Sequence, residues 1–248
     1  MVRKSSRDGA IFNFEDGLKL TPEQTIVCVG DSMVDDFVYG EVSRISPEAP
    51  APILAVTRND LTVGGAGDVA RNIAALGARC IFLGVVGKDD ASCTLMRALA
   101  AEPLLEPHLV VDPARPTTRK VRFVSEHHST HLLRADCELA QALNAKTEKA
   151  LIDRTLAHCR VRRAWSCPTS TLTPRVIRHV IDAAKKQKIP IIVDPKAVDS
   201  SVYRGATVIK PNRKELPEAT RRRADSDEDV RASALDPPVF KSTGRDLR

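Results

Sequence analysis

The sequence predicts an α/β protein built on a mostly parallel sheet flanked by helices, with a small β-lid. Two observations carry the main sheet. Short apolar runs at 25–30 (TIVCVG), 80–85 and 190–194 (PIIVD) lack the polar alternation of a half-exposed strand, so they read as strands buried on both faces. Helical patterns separate such runs, and an order of strand, helix, strand, helix calls for parallel pairing. A third observation adds the lid: residues 36–60 and 117–134 interrupt that order with non-helical, strand-like pieces that pair as a second sheet over one end.

Residues 1–20 are polar and read as a loose segment. After the first strand, 31–40 reads as a loop, Pro47, Pro50 and Pro52 break the chain, and 53–56 forms a short strand. Gly64-Gly65-Ala66-Gly67 opens a helix whose Val69, Ala70, Ile73, Ala74 and Leu76 fall at helical spacing, and Gly77 closes it. A strand at 80–85, a helix at 88–101 and a short strand at 109–111 follow. The stretch 117–134 reads as a hairpin, 144–159 and 173–187 as helices, and 190–194 and 207–210 as strands. From 221 onward the charge is dense and Pro237 and Pro238 are adjacent, which predicts a disordered tail over 221–248. The organisation expected is therefore a loose segment (1–20), one partial α/β domain (21–220) and a tail (221–248).

Composition narrows the function classes. The 248 residues are 42% hydrophobic and 28% charged, enough for a sizeable core without a disulfide or metal staple. Aromatics are only 4%, which argues against a base-stacking surface for single-stranded nucleic acid. A formal net charge of +6 suits an anionic small molecule, and no nucleic-acid module is visible. Six scattered cysteines without a CxxC pair read as reduced, mostly buried thiols. Residues 1–20 lack an apolar signal core, and no run approaches the roughly 20 apolar residues of a membrane span. The expectation is a cytoplasmic protein with no membrane or nucleic-acid partner.

Four constellations offer chemistry. Gly30-Asp31-Ser32-Met33-Val34-Asp35 puts two carboxylates past the first strand, where α/β sheets bind ligands. They would grip sugar hydroxyls, or else make local turns. Gly64-Gly65-Ala66-Gly67-Asp68 starts a helix, where backbone is approachable and anions are favoured; a flexible loop is the alternative. Arg119, Lys120 and Arg122, near Thr117 and Thr118, would clamp a phosphate, or form a solvated basic edge strand. Asn212-Arg213-Lys214-Glu215 follows a strand; its amide and carboxylate suit Mg²⁺ and phosphate, and equally a capping box. The six histidines show no paired metal spacing, so none is assigned as a ligand.

Read together, GDSMVDDFVYGEVSRISPEAPAPI, GGAGDVARNIAALGA, LGVVGKDD and RPTTRK resemble the pfkB, or ribokinase-like, carbohydrate kinases. Within that family they most resemble the kinases of D-glycero-β-D-manno-heptose 7-phosphate, often fused to an adenylyltransferase. Gly64, Gly65, Ala66, Gly77 and Gly87 match the family signature, and the resemblance runs over about 25–220. It implies ATP and Mg²⁺ as cofactors and phosphorylation of a heptose 7-phosphate to the 1,7-bisphosphate, feeding ADP-heptose synthesis for lipopolysaccharide. It implies Asp35 as the sugar-hydroxyl ligand and Gly64, Gly65 and Asp68 as the sugar loop. It suggests Arg119, Lys120 and Arg122 for the 7-phosphate, and Asn212, Arg213, Lys214 and Glu215 for the nucleotide, with Glu215 at Mg²⁺. The lid pieces imply a homodimer.

Three departures stand out. Asp68 replaces the usual Asn, losing a donor when ionised. Residues 163–170 (RAWSCPTS) replace a family strand and read poorly as one. The family's Gly-Ala-Gly-Asp catalytic turn is expected after Glu215, where nothing matches it. Gly65-Ala66-Gly67-Asp68 spells the same letters, but its place after the lid and before Arg71-Asn72 makes it the sugar loop. No catalytic residue is assigned, the C-terminal part of the fold is expected to be missing, and the alternative to a kinase is an inactive remnant that at most binds sugar phosphate.

Overall fold

A computed structural model describes residues 24–127, 130–158, 163–167, 172–196, 200–220, 222–223 and 225–234. Ten strands and six helices are described: β1 (Thr25–Gly30), β2 (Ser32–Ile45), β3 (Pro52–Gly65), α1 (Ala66–Ala75), β4 (Arg79–Val86), α2 (Asp90–Ala100), β5 (Leu105–Val111), β6 (Thr118–Ser125), β7 (Thr130–Cys137), α3 (Ala145–His158), β8 (Arg163–Cys167), α4 (Pro174–Lys186), β9 (Ile191–Val193), β10 (Val208–Ile209), α5 (Glu215–Thr220) and α6 (Asp227–Ala234).

The main sheet has the order β10-β9-β8-β1-β4-β5. Every pairing in it is parallel. Alternate residues of β1 and β4 feed two cores. Val27, Val29, Ile81 and Leu83 pack with α3 and α4 on one face, through Leu151, Ile152, Val176, Ile177, Val180 and Ile181. Cys28, Cys80 and Phe82 pack with α1 and α2 on the other, through Ala70, Ile73, Leu95 and Leu99. Burial on both faces is why these strands read as continuous apolar runs. Burial also pushes the Cys80 thiol up to about 12. Of the thiols expected to be mostly buried, Cys28 and Cys80 are buried and Cys93 and Cys137 exposed.

From β1 the chain runs outward through β4 and β5, then returns to the opposite side of β1 for β8, β9 and β10. The strand order thus reverses between β1 and β8. In open parallel sheets the crevice at the carboxyl ends of such strands receives ligands.

The second sheet, β3-β2-β6-β7, grows from that same edge. β2 and β3 pair antiparallel along a long hairpin, and β6 lies parallel to β2 and antiparallel to β7. This corrects the loop expected at 31–40 and the short strand at 53–56: only Asp31 separates β1 from β2, and both hairpin strands have 14 residues. Asp35, Asp36 and Gly40 read as loop residues and hid β2, which pairing with β3 and β6 carries through them as one strand. Arg163–Cys167, expected to be a poor strand, is the central β8 between β1 and β9. Position between two parallel neighbours overrides its composition; 168–171 lie outside the described residues.

Within the stretch expected to be a disordered tail, Asp227–Ala234 is helical. Ser226 and Asp229 cap it reciprocally, the Asp229 amide donating to Ser226 Oγ at 3.1 Å and the Ser226 amide to Asp229 Oδ2 at 3.0 Å. Residues 1–20 and 235–248 lie outside the described residues.

Candidate functional site

Asp35 stands on β2, opposite Thr62 of β3 and Lys120 of β6. Its carboxylate is paired with the Arg122 guanidinium, and both side chains are about one-fifth exposed. Arg122 also lies over the Phe37 ring, 5.1 Å from its centroid. On the neighbouring strand, a Cβ at Gly64 would sit 2.4 Å from Asp35 Oδ2, so the carboxylate occupies space only a glycine leaves. Gly65, at φ 60°, turns the chain into α1 in a conformation side chains rarely adopt. The Ala66 amide there donates to the Asp31 carbonyl at 3.0 Å, which joins the hairpin's exit to its entrance.

Strand alternation divides the basic residues. Lys120 and Arg122 share a face with Asp35. Arg119 lies on the other face, where it forms an ion pair with Asp36, a fully buried carboxylate. Asp36 Oδ1 and Ser32 Oγ are buried without a hydrogen-bond partner among the described residues. Asp68 is exposed in the first turn of α1, accepting from Asn72 Nδ2 at 3.3 Å. Asp35, Gly64, Lys120 and Arg122 therefore come together, whereas Arg119 belongs to a different cluster.

The second cluster follows β9 and β10, also at carboxyl ends of the main sheet. Asn212 and Glu215 form the reciprocal cap that the spacing allows. Asn212 Oδ1 accepts from the Lys214 and Glu215 amides at 2.9 Å, and Glu215 Oε2 accepts from the Asn212 amide at 2.8 Å. Lys196 Nζ lies 2.5 Å from Glu215 Oε1 and 3.7 Å from Asp194 Oδ2, and Lys210 Nζ lies 3.4 Å from Asp194 Oδ1. Burial pushes the Glu215 carboxyl up, but the Asn212 amide and Lys196 outweigh it and hold it below the usual carboxylate range. Arg213 instead reaches Asp227 of α6 at 3.2 Å. Lys210 stood out in the sequence beside Asn212, whereas Lys196 escaped notice because it lies 14 residues before Lys210.

A third set of contacts fixes the lid's base. Asp89 caps α2 by accepting from the Ser92 amide at 2.9 Å, and it accepts from Thr117 N and Oγ1, both at 2.7 Å. The Thr117 hydroxyl accepts in turn from the Gly87 amide at 2.9 Å. Arg115 donates to the Leu139 and Gln141 carbonyls, linking the entrance of the β6–β7 hairpin to its exit.

A switch-point crevice, a glycine hairpin running into a helix, and a sheet lid rising from the same edge define the ribokinase-like class of sugar kinases. Residues 23–244 match the model for "pfkB family carbohydrate kinase", and the chain belongs to that family. It is 57% identical over 227 residues to "Bifunctional protein HldE" of Rhodopseudomonas palustris strain BisB18, covering 90% of this chain and 46% of that protein. The protein of the same name from Bradyrhizobium diazoefficiens is 53% identical over 223 residues, covering 89% and 45%. The chain thus spans less than half the length of these relatives. The tetrameric inhibited form of phosphofructokinase-2 from Escherichia coli superposes with TM-score 0.68 at 22% identity, covering 86% of this chain and 69% of that one. Ribokinase of Arabidopsis thaliana, complexed with ribose and ATP, superposes with TM-score 0.61 at 15% identity, covering 85% and 67%. At such identities the structures speak for the fold alone.

Proposed function

We propose that this chain carries the sugar site and part of the nucleotide site of a cytoplasmic kinase. The reaction would transfer the γ-phosphoryl group of ATP to D-glycero-D-manno-heptose 7-phosphate, giving the 1,7-bisphosphate. The observation that carries this reading is the 57% identity to a bifunctional HldE across 90% of the chain. The local chemistry supports it. The Asp35 carboxylate accepts from sugar hydroxyls, Gly64 leaves room for it, and Gly65 and Asp68 line the start of α1. Lys120 and Arg122 supply positive charge for the 7-phosphate, with Arg119 behind them holding Asp36.

Asn212, Arg213, Lys214 and Glu215 would face the nucleotide phosphates. Oxygen donors from Glu215 beside Lys196 and Lys210 suit a hydrated Mg²⁺ and an anionic ligand, so the residues fit that group. When bound, Mg²⁺ neutralises charge on the phosphates; the chain's own residues orient the two ligands at one sheet edge. The lid would cover the sugar, and a homodimer through it belongs to the same reading.

Calorimetric titration of the heptose 7-phosphate, alongside ATP consumption with Mg²⁺, tests this. Asp35→Ala should abolish sugar binding, and Gly64→Ala should weaken it at least about tenfold by displacing the Asp35 carboxylate, one such factor being about 1.4 kcal/mol. Glu215→Gln should weaken Mg-ATP and leave the sugar untouched. Unchanged sugar affinity in Asp35→Ala would refute the site. Turnover that vanishes in Asp68→Ala would make Asp68 the base instead of a sugar-loop residue.

A further inference from the structure

Glu106, His108 and His158 form a cluster at the far edge of the main sheet from β10. Glu106 and His108 occupy alternate positions on the edge strand β5, so they share a face. His158 ends α3 and stacks beside His108, with ring centroids 4.3 Å apart and planes tilted by 49°. One ligand atom from each of the three lies within 4.8 Å of the others, and all three side chains are part-exposed.

Neighbouring groups orient these side chains. Arg154 donates to the Leu109 carbonyl at 2.8 Å, pinning the last turn of α3 to β5 and setting His158 against His108. His158 Nδ1 lies 2.8 Å from the Arg154 carbonyl. A proton on that nitrogen leaves the Nε2 lone pair facing outward. Glu106 divides its oxygens: Oε2 accepts from Arg79 at 2.8 Å, and Oε1 accepts from His108 Nε2 at 2.7 Å, a proton that a bound metal ion would displace. A carboxylate oriented through one oxygen, and an imidazole oriented through its distal nitrogen, are the outer contacts that metal ligands ordinarily have.

We propose that Glu106, His108 and His158 bind a divalent metal ion of the borderline class, such as Zn²⁺, joining the edge strand β5 to the end of α3. Two imidazoles and one carboxylate favour Zn²⁺, Ni²⁺ or Cu²⁺ over Mg²⁺, which takes oxygen ligands and keeps its waters. Metal–ligand bonds of about 2.0–2.2 Å put ligand atoms about 3.3 Å apart, so small ring rotations close the set. Three protein ligands leave one position for water. The site is separate from the Mg²⁺ proposed at Glu215, being at the other end of the sheet, and binding there stabilises the folded chain without entering the kinase reaction.

The test is titration of the full chain with ZnCl₂ in excess Mg²⁺ and a phosphine reductant. Wild type is expected to take up one equivalent at this site and to melt at a higher temperature with Zn²⁺. In the His108→Gln/His158→Gln variant, affinity for that equivalent should fall at least tenfold and the melting shift should vanish. Proton spectra of the wild type supply a reading independent of any variant: the imidazole signals of two of the six histidines should move on adding Zn²⁺. No uptake, the same uptake in the double variant (thiol binding), or unmoved imidazole signals would overturn the proposal.

Discussion

Asp35 and Asp36 are adjacent and identical in type, yet the fold gives them opposite tasks. Alternation along β2 turns Asp35 to the face of Gly64, Lys120 and Arg122, and turns Asp36 inward with Val34. Asp36 is fully buried, and one of its oxygens has no partner among the described residues, so its charge depends on Arg119. Arg119→Met should therefore destabilise by about 1–3 kcal/mol. Arg122→Met should cost less, since Asp35 remains about one-fifth exposed and water replaces the lost partner. Urea midpoints of the two variants decide it; equal losses would show that Asp36 is not the carboxylate that needs its cation. The sequence pointed to Asp35 through its place after the first strand and through family resemblance. It did not separate Arg119 from Lys120 and Arg122: alternation in the hairpin read at 117–134 sets them on opposite faces, but with 31–40 read as a loop nothing said which face meets Asp35.

At the scale of elements, Asp89 joins three of them. It caps α2, holds Thr117 at the start of β6, and through Thr117 touches Gly87 after β4. Burial raises its carboxyl, but the bonds from Thr117 and Ser92 outweigh this and lower it below the ordinary value. A carboxyl depressed by folding stabilises at pH above its unfolded value, about 3.9, and loses that contribution as pH falls through the folded value. Wild-type urea midpoints should thus fall below about pH 4. Asp89→Ala should lower the midpoint at neutral pH by the equivalent of about 1–3 kcal/mol and flatten the acid slope. A variant with an unchanged acid slope would assign that slope to other carboxylates. The helix at 88–101 was legible in the sequence; the clamp was not, because its partner lies 28 residues on. Asn212 and Glu215 were legible in both of their possible roles, since one spacing serves a cap and a phosphate site. β8 was missed for the opposite reason: its neighbours, not its residues, make it a strand.

At the scale of the molecule, the two sheets differ in how they are covered. β1 and β4 lie between helices on both faces. β7 edges the lid, with Leu132 and Leu133 exposed. Local opening follows such differences in cover. Amides of β1 and β4 should exchange with solvent hydrogen only through global unfolding, and those of β7 faster by at least about two orders of magnitude. Equal protection would mean the lid and core unfold as one unit. The parallel core was readable because double burial leaves an apolar run; the lid was readable only as an interruption, since its strands mix apolar and charged residues and take register from one another.

The lid also bears on how such a protein diversifies. Ser32 and Gly65 are paired at the base of the β2–β3 hairpin, and Arg115 bridges the two ends of the β6–β7 hairpin. Each excursion leaves the core and returns to it at one point. Residues between those points can be lengthened, shortened or exchanged without shifting any register in the six-stranded sheet. The lid is thus a replaceable cassette on a self-contained chassis, which leaves substrate choice free to drift faster than the architecture beneath it.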